Sequence, residues 1–225
     1  MRTKILLATA AALAAGVFAS NAQVYSANVV GYVNVVYPGG QYVMSANPFT
    51  TGNDVLTNVI QGATGSSTMA YWTGSGFSTY TYSGPQKKWL NGATDESSQP
   101  LSVGTGFFIK AGGNGWTNTY VGSVVANTGG GTATNALAAG YQPVGEKVPY
   151  SDVVTNAATV NLQVGGASTM AIWDQGIQAY DPTYTYSGPQ HVWKQGATTA
   201  NPTINPAQGF FVSPSAATNW VQTLQ

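Results

Sequence analysis

The chain has 225 residues with 28 Gly, 11 Pro, no Cys, 12% aromatic and only 6% charged residues, and its seven Lys and Arg balance seven Asp and Glu. A usual charged share is about 25%, so there is no basic surface to neutralise a run of phosphates, which argues against nucleic acid as a partner. A 43% apolar share supplies a core and argues against a disordered chain, and the absence of Cys excludes thiol catalysis and thiolate metal sites.

The first element is a targeting signal. Arg2 and Lys4 precede an apolar run over residues 5–18, closed by Ala19-Ser20-Asn21-Ala22. Small residues at Ser20 and Ala22 predict a secretory signal peptide over 1–22, cleaved between Ala22 and Gln23. The run is shorter than the ~20 apolar residues that a spanning helix needs, and no later segment is apolar enough to span a bilayer. The expected destination is the extracellular space or cell surface, with the periplasm also open. A disulfide-free exported chain must then hold together through a core of adequate size.

The elements that follow have the period of strands. Residues 28–36 are rich in valine, and a second strand runs over 42–49 and ends in Asn47-Pro48. Residues 54–60 are the one candidate helix, with Asp54 placed to cap its N–H groups, although β-branched residues weaken it. Residues 68–72 are apolar on both faces, as in a central strand. In 79–83, Tyr80 and Tyr82 share one face and Thr79, Thr81 and Ser83 the other. Phe107 and Ile109 share the predicted core face, with Phe108 and Lys110 opposite. Turn signals at Pro38-Gly39-Gly40, Gly74-Ser75-Gly76, Ser83-Gly84-Pro85 and Gly112-Gly113-Asn114-Gly115 have the spacing of a sandwich or barrel.

The mature chain then repeats itself. Ser67-Thr68-Met69-Ala70 returns as Ser168-Thr169-Met170-Ala171, and Thr79-Tyr80-Thr81-Tyr82-Ser83-Gly84-Pro85-Gln86 returns unchanged at 183–190. Trp72, Trp89 and Gly106-Phe107-Phe108 match Trp173, Trp193 and Gly209-Phe210-Phe211. Asp54 and Asp152 each precede a Val-x-Thr-Asn run, which suits capping or turn formation. Residues 127–135, glycine-rich and polar, read as a flexible loop between the copies, and the second copy is expected to open at the strand containing Val121. The expectation is an all-β protein of two similar sandwich-like or barrel-like units packed side by side, over 23–118 and 119–225.

The run Gly40-Gln41-Tyr42-Val43-Met44-Ser45-Ala46-Asn47-Pro48-Phe49, the Tyr71-Trp72 strand and Leu101-Ser102-Val103-Gly104-Thr105-Gly106-Phe107-Phe108-Ile109 resemble, in order and spacing, a repeat of exported proteins of verrucomicrobial and related bacteria. Copy two departs from it, with Glu146-Lys147-Val148-Pro149-Tyr150 at the Asn-Pro-aromatic end and Ala207-Gln208-Gly209 for the double glycine. The resemblance implies a secreted β-rich repeat and carries over no catalytic residue.

Chemistry has few candidates. A Ser-His-acid constellation would need His191, the only histidine, yet Lys87 follows the same Tyr-Ser-Gly-Pro-Gln turn in copy one. A glycosidase pair would be Asp174 and Asp181, which copy one lacks. Thr94-Asp95-Glu96-Ser97 is the nearest calcium-like cluster, and its counterpart carries no acid. No cofactor or metal is expected. Aromatic residues are the better candidates: Tyr80, Tyr82 and Trp89, with Tyr184, Tyr186 and Trp193, flank a Gly-Pro turn. They would form a platform for sugar rings, or else cross-strand pairs and domain contacts. The leading expectation is a non-enzymatic structural or interaction protein of the cell surface, self-associating or docking through strand edges. The alternative is a carbohydrate-binding module for a polysaccharide partner.

Overall fold

A computed structural model describes residues 29–126 and 131–225. The leader predicted over 1–22 and the first part of the glycine-rich segment lie outside the described residues.

Alternating apolar and polar side chains, cut by Gly and Asn turns, produce strands throughout. The first half of the chain forms β1 (Val30–Tyr37), β2 (Tyr42–Ala46), β3 (Thr68–Trp72), β4 (Phe77–Ser83), β5 (Lys88–Asn91), β6 (Thr94–Asp95), β7 (Gly106–Lys110) and β8 (Trp116–Ser123), with one helical turn, α1 (Leu56–Val59). The second half forms β9 (Thr132–Leu137), β10 (Gln142–Val144), β11 (Asp152–Val153), β12 (Thr169–Asp174), β13 (Ala179–Tyr180), β14 (Tyr184–Ser187), β15 (Val192–Gln195), β16 (Thr198–Thr199), β17 (Thr203–Ile204), β18 (Phe210–Ser213) and β19 (Thr218–Thr223). The fold is all-β, and among the described residues none of the sheets closes into a barrel.

The large sheet of the first half runs β2-β7-β3-β4-β5-β6, and that of the second runs β10-β18-β12-β14-β15-β16 with β13 paired to β12. Each half also has a two-stranded ribbon, β1 with β8 and β9 with β19, in which its first strand meets its last. Pairing is antiparallel in every ladder of these sheets.

One face of each large sheet covers a core. In the first half Met69, Tyr80, Trp89, Phe107 and Ile109 pack with Leu56, Val59, Leu101 and the ribbon side chains Tyr37 and Tyr120. In the second, Met170, Tyr184, Tyr186, Trp193, Phe210 and Val212 pack with Val154, Leu162, Ile204 and the ribbon side chains Leu137 and Trp220. The opposite faces meet each other: Met44, Phe108 and Phe211 form a third buried cluster with Ala70, Ala171 and Trp173.

Three local expectations are corrected. Asp54 does not cap α1, whose N-cap is Val55 with no side-chain cap bond; its carboxylate instead accepts the Thr51 N–H at 2.7 Å, closing a turn. Thr132 to Asn135 belong to strand β9, because ladder bonds to β19 offset their modest strand propensity. Val121 lies in β8, which crosses residues 118 and 119 without a break and pairs along its whole length with β1. That strand therefore completes the first half rather than opening the second.

Candidate functional site

The six aromatic side chains named from the sequence sit where the period of two puts them, but that face is inside. Tyr80 (4% exposed), Trp89 (0%), Tyr184 (8%), Tyr186 (2%) and Trp193 (0%) are core residues, and Tyr82 is half-buried with its ring 5.3 Å from that of Trp89. Tyr186 and Trp193 repeat that pair at 5.1 Å. Tyr82 lies opposite Trp89 and Tyr186 opposite Trp193 in the ladders, so these rings pack as cross-strand pairs against the two cores, with Tyr80 and Tyr184 buried beside them. Both indoles bury an Nε1–H that has no hydrogen-bond partner.

The polar candidates are held in local structure. His191 sits exposed at the end of the Gly188–Gln190 turn with φ +51°, as Lys87 does at φ +53°. Its Nδ1 lies 3.3 Å from the Tyr186 hydroxyl. Asp174 accepts the Gly176 N–H at 2.6 Å and so forms the β12–β13 turn, while Asp181 stands just beyond β13. Asp95 pairs with Lys88 at 2.6 Å and accepts the Ser97 N–H at 3.0 Å, and these donors hold its carboxyl at about 2. Asp152 accepts bonds from Val153 N–H, Thr159 and Asn156, which lower its carboxyl below the usual range.

The main aromatic assembly is one the sequence reading passed over. Phe108 and Phe211 face each other across the two halves with centroids 6.4 Å apart. Trp173 meets Phe108 edge-on at 5.3 Å, Trp72 meets Phe211 at 6.4 Å, and Phe77 and Tyr180 close the rim. The signal was present in residues 68–72, whose apolar character on both faces requires two covers.

Main-chain contacts between the halves follow the same exchange. Ala46 pairs with Gly106 in one sheet and Val144 with Phe210 in the other, so Gly145 stands at the place of Ala46. Ala46 N–H donates to Ala207 O at 2.9 Å, and Gly145 N–H donates to Gly104 O at 2.9 Å. Gly104 and Ala207 both have positive φ, +83° and +63°. Bridges join Ser45 to Gln208 and Val144 to Thr105. The two halves thus meet about an approximate two-fold axis. Gly106 and Gly209 allow this approach: a Cβ on Gly106 would lie 2.7 Å from Val144 N, and one on Gly209 would run into Ser45 O.

Two buried polar groups lie near this junction. Tyr37 Oη donates to Ser45 Oγ at 2.9 Å and lies 2.7 Å from Tyr120 Oη, and burial pushes its phenol up to about 12. Glu146 is 3% exposed; its Oε2 accepts the Tyr150 N–H at 3.1 Å and its Oε1 has no partner. Burial raises its carboxyl to about 9.

The surface shows a contrasting feature on the β1·β8 ribbon. Val30 (67% exposed), Tyr32 (74%), Val36 (60%) and Val121 (53%) share its outward face. Among the described residues no helix is long and apolar enough to cross a membrane. The chain matches no family model, no curated protein and no solved structure.

Proposed function

We propose that the chain is an exported, non-enzymatic structural or interaction protein of the cell surface or extracellular space, built from a duplicated unit and acting by contact through its sheets. The observation that carries this reading is the uncharged outward face of the β1·β8 ribbon, where Val30, Tyr32, Val36 and Val121, each more than half exposed, stand among Asn34, Thr117, Thr119 and Ser123. Large apolar side chains left this exposed on one face, with Val30, Tyr32 and Val121 adjacent, support an interaction surface. The duplication is supported by the eight-residue identity and by the parallel strand orders of the two large sheets. Export is supported by the leader-like residues 1–22.

Fractionation, with N-terminal sequencing, of cells producing the full chain tests export, and a chain outside the cytoplasm beginning at Gln23 is the expected result. Light scattering and electron microscopy on residues 23–225, together with binding to whole cells, test contact. A protein that stays monomeric and is not retained on cells would overturn the reading.

A further inference from the structure

Among the described residues β1 has a neighbour on one side only, β8. Val124 N–H donates to Val29 O at 2.8 Å, and bonded and non-bonded positions alternate along an antiparallel pair. The register therefore assigns residues 31, 33, 35 and 37 to the β8 ladder. The N–H and C=O groups of Val30, Tyr32, Asn34 and Val36 point the other way, and none has a main-chain partner elsewhere among the described residues.

β9 begins the second half in the same manner, but its edge is blocked. Leu224 N–H donates to Gly131 O at 2.9 Å, which turns the main chain of 132, 134 and 136 outward. There Lys147 Nζ donates to Thr134 O at 2.7 Å, and a lysine on an edge is a common guard against strand addition. By strand register the first-half counterpart of Lys147 is Pro48, which has no side-chain donor. β1 is also longer, eight residues against six.

We propose that β1 docks onto β1 of a second copy, antiparallel about a two-fold axis at Val33, joining two ribbons into one four-stranded sheet. This rests on the contact reading above and names its site and partner. Unpaired main-chain groups select a strand as the occupant, and three features select the same strand. The pairing places Val30 opposite Val36 and Tyr32 opposite Asn34, both compatible cross-strand pairs. β1 carries no charge, so like charges never face each other. The chain's own halves already associate through two-fold main-chain bonds. An isologous contact of this type closes at the dimer.

The test is sedimentation of residues 23–225 over a wide concentration range, with Asn34→Pro and Tyr32→Lys. Proline at 34 removes an outward N–H and fills the edge while leaving the β8 ladder in place. The expected result is a wild-type dimer and at least about tenfold weaker dimerisation in both variants, with unchanged circular dichroism. If Asn34→Pro fails to fold, Tyr32→Lys carries the test alone. In this cysteine-free chain, Val30→Cys with Val36→Cys should form a disulfide between copies. If wild type assembles but the edge variants assemble equally well, the β1 inference falls and the contact reading stands. A monomeric wild type that binds cells also sinks β1 pairing alone, and a monomer that binds nothing sinks both.

Discussion

At the end of β2 the buried side chain is Asn47, and at the matching end of β10 it is Glu146. Both do one backbone task, accepting the N–H of a following aromatic residue: Phe49 in the first half, Tyr150 in the second. Asn47 also donates from Nδ2 to Leu101 O at 2.8 Å, so both polar atoms of the amide are bonded. Glu146 has an oxygen left over, and in a buried site the carboxyl keeps its proton. The same fold thus tolerates a neutral amide or a neutral acid, but only the acid makes its half depend on pH.

The broadest likeness between the halves is the core tryptophan. Trp89→Ala and Trp193→Ala should each destabilise the protein by about 3–5 kcal/mol, measured by urea unfolding. A near-silent loss in either half would break the comparison.

Glu146 sharpens it. Burial raises its carboxyl from the ordinary 4.5 to about 9, so at neutral pH the folded group is protonated and the unfolded one ionised. Its stabilisation is whole below 4.5 and is lost as pH rises to about 9; by pH 7 the loss is on the order of 3 kcal/mol. Glu146→Gln should melt at a nearly constant temperature from pH 5 to 9 while wild type declines, so that the variant is the more stable protein at pH 8. A level wild-type curve would contradict the assignment.

The smallest effect concerns the glycines where the halves meet. Gly106→Ala and Gly209→Ala each push a Cβ into the other half's backbone, and each should cost about 1–3 kcal/mol by forcing a shift. Thermal melts read this directly, and a loss in one variant only would show that the two-fold contact is not balanced.

Much of the architecture could be read from the chain itself. Residues 68–72 and 79–83 became β3 and most of β4 because period-two patterning and glycine turns act locally. The platform could not be judged in the same way: Tyr80 and Tyr82 alternate with threonines identically whether their face meets water or a core. Nor could Thr132 to Asn135 be recognised as a strand, since their pairing with Trp220 to Thr223, far along the chain, is a tertiary choice. The Phe108–Phe211 contact was equally hidden, because sequence gives the two faces of a strand but not what lies on each.

Because each ribbon joins the first strand of a half to its last, neither half is finished until its final strand exists. A nascent chain emerging from its N-terminus could not seat β1 until Ser123 had appeared, nor β9 until Thr223 had. Loop closure over such spans makes folding slow, so the polypeptide should remain extended and open to threading for most of its synthesis, and losing its last eight residues would leave the second half unable to close.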